Sequence, residues 1–503
     1  SYNRLFAGKH QVNAMLLYMQ KEQQYHNEAL ANRKQSFVGR ASYSFDERYF
    51  IEGSFGYTGS ETFASGNRFG FFPAVGVAYL LSNEPFMPAS FTNVVNKLKL
   101  RVSIGRTGND NTGGARFLYR ETLKTDAGGY NIGIGANGGL NGVGNGIVEA
   151  RFAAPLLGWE IENKRNVGID IGLFGNKIDL TLDYFNNLRT DILLQRKTLP
   201  SLTGFRESPW ENYGKVRNQG MDASLIMTEK FGDVRLTFRG NLTFARNKIL
   251  EYDEVPQNHP WMNMTGGRLG SWNLYIAEGL YTFDDFDITT DADGKKIYKL
   301  KPGLPVSSLG STEPGDIKLK DLNGDGVINP NDQTRYAADP KNPELVYGFG
   351  LNADYKGFYA SVFFQGTGKT STVLGQANGP GFHPFAWGDR TSGTRIQSLN
   401  RWSEENPSQN VLFPRLHSSS NNRSANTWWL RNASFLRLKN IEVGYNVPAK
   451  TAMKIGMQAA RIYLMGYNIA VWDHIGLWDP EMGNKNDGMA YPLPRTFTLG
   501  VEF

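Results

Sequence analysis

The sequence predicts an all-β protein, a transmembrane antiparallel β-barrel, and three observations lead there. Apolar residues recur at every second position along most of the chain, several of these runs are long, and very short turns alternate with long irregular stretches. Period two gives a strand one apolar and one polar face. Leu98, Leu100, Val102 and Ile104 alternate with Lys97, Lys99, Arg101 and Ser103. Val234, Leu236, Phe238, Leu242 and Phe244 alternate with Asp233, Arg235, Thr237, Arg239, Asn241 and Thr243. Such runs pass the roughly 5–6 residues of a globular strand and approach the roughly 9–11 that cross a bilayer at a tilt. No helical period of similar quality occurs.

The turns follow from local chemistry. Val167, Ile169, Ile171 and Leu173 lead through Gly175-Asn176 into Ile178, Leu180, Leu182 and Tyr184, the signature of a two-residue hairpin. Lys356-Gly357 joins Phe349–Tyr355 to Phe358–Phe364, and Asp46-Glu47 joins Phe37–Phe45 to Tyr49–Phe55. The long stretches are 108–158, 250–343 and 368–432. In a soluble domain such loops argue against the assignment; in an outer-membrane barrel they are the extracellular loops opposite short periplasmic turns. A soluble β-sandwich also alternates, so alternation by itself does not decide. Roughly 16 strands are expected, with the usual uncertainty in element ends. Phe497, Leu499, Val501 and Phe503 form a last alternating strand with a terminal aromatic, which resembles the signal read by outer-membrane assembly machinery.

Composition sets bounds. The 503 residues are 40% hydrophobic and 13% aromatic, values of an ordered protein. No apolar run reaches the roughly 18 residues of a transmembrane helix, a test that barrel strands escape because they alternate. Cysteine is absent, which excludes disulfides and thiolate chemistry. The net charge of +6 is mild, without the dense basic and aromatic clusters that would suggest nucleic acid. Ser1–Gly8 has no basic segment followed by an apolar core; the secretion signal an outer-membrane protein needs is expected to have been cleaved or to lie upstream in a larger polypeptide.

Ser36-Phe-Val-Gly-Arg-Ala-Ser-Tyr-Ser-Phe45, Arg48-Tyr-Phe50 and Asn67-Arg-Phe-Gly-Phe-Phe-Pro73 together resemble the SusC/RagA barrel. So do Leu98–Asn109, Pro314-Gly-Asp-Ile-Lys318, Asp321-Leu-Asn-Gly-Asp-Gly-Val-Ile328, Tyr347-Gly-Phe349 and Ser361–Gly366. Asn432–Asn440, Gly444-Tyr445, Pro448 and Trp478-Asp-Pro-Glu481 continue the likeness in order. The resemblance implies a plugged outer-membrane barrel of the roughly 22-stranded type. This chain, 1–503, would be roughly the last 16 strands of that one domain, with Ser1–Met19 already strand material. The plug, the segment that engages TonB and the early strands are expected in the same protein outside this chain.

The candidate sites are few. Asp321, Asn323, Asp325, Asn329 and Asp332, with Gly326, have the spacing of a calcium loop: oxygen ligands at alternate positions and a glycine where the chain turns sharply. Asp332 stands where a longer Glu is usual, and a self-bonded Asp/Asn/Gly turn is the alternative. The expected ion, Ca2+, would be a structural clip; no cofactor is required. Phe382, His383, Phe385, Trp387, Asp389 and Arg390 form an aromatic-rich stretch suited to sugar faces and polar ligand groups, and Trp261 sits in another long loop. Trp428 and Trp429 read equally as membrane-interface girdle residues. Gly366-Thr-Gly-Lys-Thr370 only glances at a phosphate loop, because Phe363 replaces its first glycine. The histidines show no metal-ligand spacing and no Gly-x-Ser-x-Gly elbow occurs, so no catalysis is expected.

The resemblance implies active, TonB-dependent import of oligomeric nutrients, glycans or peptides, across the outer membrane of a Gram-negative bacterium. Its implied partners are a SusD-like surface lipoprotein acting as a lid, TonB through the N-terminal part, outer-membrane lipid, and a second copy in a paired assembly of two barrels and two lids. Alternatives are a lid-less siderophore or cobalamin receptor, a passive porin, and a soluble all-β glycan-binding protein or hydrolase.

Overall fold

The computed structural model describes residues 1–24, 26, 31–127, 130–134, 140–143, 146–205, 207–375, 399–416, 419–454, 456–483 and 490–503. Fifteen strands form one antiparallel sheet: β1 (Tyr2–Phe6), β2 (His10–Gln23), β3 (Asn32–Phe45), β4 (Tyr49–Ser60), β5 (Phe69–Leu80), β6 (Val95–Asn109), β7 (Glu160–Leu173) and β8 (Ile178–Gln195). The sheet continues with β9 (Trp210–Phe231), β10 (Val234–Glu251), β11 (Leu345–Tyr355), β12 (Phe358–Gly368), β13 (Phe435–Val447), β14 (Ala460–Asp473) and β15 (Thr496–Glu502). Strands adjacent in the sheet follow one another in this order, an up-and-down meander. The chain divides into two compact units, Ser1–Ala223 with Arg246–Val255, and Ser224–Ala245 with Pro256–Phe503.

The hairpin turns show why the strands reverse where they do. Tyr355 pairs with Phe358 across Lys356 and Gly357, both at positive φ (46° and 92°), the mirror-image turn whose twist matches the flanking strands. The other two predicted turns are longer than expected. Leu173 pairs with Ile178, so four residues turn, and Phe174, Gly175 and Asn176 are all left-handed. Phe45 pairs with Tyr49 across Asp46, Glu47 and Arg48.

Register sorts each unit into two faces. In the first unit Val102 lies opposite both Val77 and Val167, while Leu100 and Leu182 flank Ile169. In the second, Val362 lies between Leu351 and Ile441, and Leu464 between Val443 and Leu499. These side chains are open: Val167 is 56% exposed, Leu464 56% and Leu499 77%. A soluble sandwich covers its apolar face with a second sheet. Here the face is bare, as a lipid-contacting surface is.

The opposite face is polar. Arg101 on β6 sends Nη2 to Asp170 on β7 (2.8 Å) and to Asp183 on β8 (2.9 Å). Gly168 makes room for this arrangement, because a Cβ there would stand 2.4 Å from the Asp183 carboxylate and 2.7 Å from the guanidinium. Arg40 and Glu52 pair at 2.7 Å on the same face.

Candidate ligand surface of the long segments

Extended hydrophobic burial lies in the long connections rather than the sheet. In the second unit Ala277–Leu280 pairs with Ile317–Leu319, and Phe286–Thr290 with Lys296–Leu300. Val306–Ser307 runs parallel to Val327–Ile328, and Ser371–Val373 pairs with Leu430–Asn432. These pieces surround a core of Leu274, Ile317, Leu319, Ile328, Trp402, Phe413 and Trp429. The described parts of 256–343 and 368–432 are therefore a packed layer rather than irregular loop.

Side-chain amides hold that layer where backbone pairing ends. Asn422 donates to Asp316 (2.7 Å) and accepts from the Ile317 N–H (2.8 Å). Trp429, fully buried, donates Nε1 to the Asn422 carbonyl, and Trp428 donates to that of Leu412. This corrects the girdle reading: both tryptophans pack in the layer, because their indole N–H groups find carbonyl partners there. Gly315, at φ 89°, lets the chain pass the Trp402 ring, where a Cβ would approach to 2.3 Å.

The 321–332 segment folds around its acidic side chains, with the hydrogen bonds of a self-bonded Asp/Asn/Gly turn. Asp321 accepts from the N–H groups of Gly324 (2.7 Å) and Gly326 (2.8 Å), and Gly326 is left-handed at φ 81°. Asn323 accepts from the Asp325 N–H and donates to its carboxylate, while Asp325 accepts from Val327. Asp332, fully buried, accepts from Leu322 and from Asn329 (2.8 Å each), tying both ends together. Among the described residues no three His, Asp or Glu side chains are grouped as a metal site. The oxygens facing inward belong to a mixed Asp/Asn set with Asp321, Asp325 and Asp332 bonded to backbone N–H groups.

Trp261 is brought to this segment. Its Nε1 donates to the Asn331 carbonyl (2.9 Å), and its ring stacks on His259 at 4.4 Å and 1°. Asn258 donates to Asn331 as well (3.0 Å). An indole stacked on an imidazole is half-buried and already has one occupied face, which leaves less ring surface for a ligand than the sequence suggested. Phe382, His383, Phe385, Trp387, Asp389 and Arg390 lie outside the described residues.

The layer's carboxylates are tuned by their donors. The amide of Asn323, then the Val327 N–H, hold Asp325 below the usual carboxylate range. Burial pushes Asp285 up, but the Thr282 N–H and Lys318 outweigh it and its pKa is lowered. Lys296 draws Glu404 down despite partial burial, with Tyr298 assisting. Burial, reinforced by Asp285 and Asp316, pushes the Tyr281 phenol up to about 12. Each shift follows from burial or from a hydrogen-bonded or charged neighbour within the layer.

Sequence reasoning overlooked one anchor. Arg437 on β13 is 2% exposed and donates Nη2 to both Asp479 oxygens (2.6 and 2.7 Å), with Glu481 2.8 Å from its Nε. A buried guanidinium needs such compensation, and here it draws the β14–β15 connection onto the sheet. The Trp478-Asp-Pro-Glu481 string carried the signal, but its partner lies 42 residues away in sequence. The Gly366–Thr370 string is the end of β12 and a left-handed Lys369, with no helix to cradle phosphate.

Comparison with known proteins agrees with this architecture. Residues 21–469 match the family model described as TonB dependent receptor-like, beta-barrel. TonB-dependent receptor P26 of Formosa agariphila is 29% identical, with 93% of this chain and 45% of that protein covered. TonB-dependent receptor SusC of Bacteroides thetaiotaomicron is 25% identical, covering 94% of this chain and 44% of that one. The RagAB peptide transporter structure superposes with a TM-score of 0.70 at 22% identity, over 99% of this chain and 54% of that chain. The chain thus spans about half the length of the relatives it matches. With its bare apolar face, polar opposite face and short-turn, long-loop asymmetry, the chain belongs to the TonB-dependent receptor-like β-barrel family of the outer membrane.

Proposed function

We propose that the whole protein imports oligomeric nutrients, glycans or peptides, across the outer membrane. The single observation that carries this reading is the pairing of a polar sheet face with a folded layer of long segments at one end. A polar face suits passage of a hydrated solute, and an ordered layer can select what enters. The likeness to SusC and to the RagAB peptide transporter supports the reading. The protein works with a SusD-like surface lipoprotein as lid, in an assembly of two barrels and two lids. TonB drives it through an N-terminal part that also supplies the plug and the early strands. Ligand is captured between lid and layer, with Trp261 and the Phe382–Arg390 stretch among its contacts, and passes inward when the plug is pulled. The mechanism is transport without bond chemistry.

The test is purification of the native protein from outer membranes in mild detergent, followed by identification of what accompanies it. A SusD-like lipoprotein and an oligomeric ligand are the expected companions, and uptake should stop when TonB is deleted. Uptake without TonB would make the protein a passive porin, and chelate binding without a lipoprotein would make it a lid-less receptor. For the 321–332 segment we propose a structural Ca2+ held by Asp321, Asn323, Asp325, Asn329 and Asp332. Its oxygen-rich spacing and two left-handed glycines, Gly324 and Gly326, suit a hard cation. Millimolar calcium should protect this segment from proteolysis and EDTA should reverse it; equal cleavage in both would refute the clip.

A further inference from the structure

The apolar face of the first unit changes character abruptly toward the long segments. Along β6 and β7 the rungs Leu98/Ile171, Leu100/Ile169 and Val102/Val167 are wholly apolar. The next two rungs on the same face are Ile104/Arg165 and Arg106/Asn163. These arginines share a cleft of about 600 Å³ with Arg217 of β9 and Asn186 of β8, floored by Val75 and Leu188.

Three features make this cleft unlike an ordinary surface. Arg106, Arg165 and Arg217 are all exposed. Arg106 donates to Asn163 (3.3 Å), and among the described residues none of the three forms an ion pair. By contrast, Arg101 on the polar face is neutralised by two aspartates and Arg40 by Glu52. Guanidinium groups stay charged at any physiological pH, so three in one cleft repel one another unless an anion joins them. Their place on the lipid-contacting face, just beyond the apolar rungs and on the side of the long segments, is the headgroup level of the outer leaflet.

We propose that this cleft binds the phosphorylated headgroup of an outer-leaflet glycolipid. Guanidinium forks suit phosphate oxygens, the Asn163 and Asn186 amides suit sugar hydroxyls, and Val75, Ile104 and Leu188 meet the first methylenes of the acyl chains. The site fixes the height and rotation of the protein in the outer leaflet. It requires only the outer-membrane placement, which the import reading also uses, so the site can fail while the import reading stands.

The experiment uses the whole protein, purified from outer membranes and delipidated in detergent, with lipid binding followed by native mass spectrometry. Diphosphoryl lipid A should bind with at least about tenfold higher affinity than its dephosphorylated form, because the arginines address phosphate. It should also outcompete phosphatidylglycerol and inorganic phosphate at equal concentration. The R106Q/R165Q/R217Q variant, checked for folding by its heat-modifiable migration, should lose that preference, and R165K should keep most of it. Equal binding of both lipid A forms, or an unchanged variant, overturns the proposal. Equal binding of phosphatidylglycerol overturns the glycolipid assignment, and full displacement by inorganic phosphate overturns a lipid site altogether. If the triple variant does not assemble, the two lipid A forms on the unmodified protein still decide.

Discussion

Asp332 shows how one short side chain closes a long connection. Its carboxylate is fully buried, and each oxygen accepts one backbone N–H, from Leu322 and from Asn329, ten and three residues before it. A longer Glu would reach past those amides, so the aspartate that weakened the calcium pattern is well sized for this closure. Replacing Asp332 with Ala strands two N–H groups in a site without room for bulk water. The expected cost is about 1–3 kcal/mol per orphaned donor, confined to the layer. Limited proteolysis should show new cleavage between residues 320 and 333 while the strands stay resistant. Cleavage no faster than in the parent would mean that these hydrogen bonds do not close the segment. Gly168 and Gly315 make the complementary point, since each is glycine because a neighbouring ring or carboxylate occupies the space of a Cβ.

At the scale of elements, acid separates the sheet from the layer. Asp285, bonded to Lys318 (2.9 Å), and Glu404, bonded to Lys296 (2.8 Å), both have lowered pKa values. A carboxylate with a lowered folded-state pKa adds stability above its unfolded value, near 4, and loses it as pH falls through the folded value. Amide-exchange protection of Ala277–Leu280 and Ile317–Leu319 should therefore decline below about pH 4, while β11, held by unbroken ladders to β10 and β12, keeps its own. Loss in both regions together would show that these ion pairs do not govern the layer. The same division explains what was legible in the sequence. The strands of the sheet and the Lys356-Gly357 turn were readable because period two and turn chemistry are local. The layer was not, because its strands are two to five residues long and pair across wide separations. Its pins, such as Asn422 to Asp316, join residues 106 apart. Of the candidate site residues, Asp321–Asp332 was legible from spacing only as a tight Asp/Asn/Gly segment, the alternative to a cation loop, whereas the approach of Trp261 to Asn331 depended on packing that no local pattern encodes.

For the molecule as a whole, the two faces of the sheet are its defining property, and adjacent residues can test them. Val167 and Asn166 are neighbours on β7, so they share strand, depth and backbone pairing but point to opposite faces. Val167 lies opposite Val102 and Tyr184 in the apolar band and is 56% exposed. Asn166 lies opposite Ser103 on the other face and lines a cleft with Glu52, Lys99 and Arg101. In lipid, Val167→Arg places a guanidinium among acyl chains at a cost of about 2–4 kcal/mol near the bilayer midplane. Asn166→Arg places the same group beside water and Glu52, and should change stability by less than about 1 kcal/mol. Urea unfolding of the whole protein in phospholipid vesicles should therefore separate the two variants, with Val167→Arg unfolding at clearly lower urea. In a soluble sandwich Val167→Arg would also be costly, but its cost would persist without lipid, and the parent would stay monodisperse in buffer. Equal midpoints for the two variants would remove the face assignment on which both the import reading and the glycolipid cleft depend.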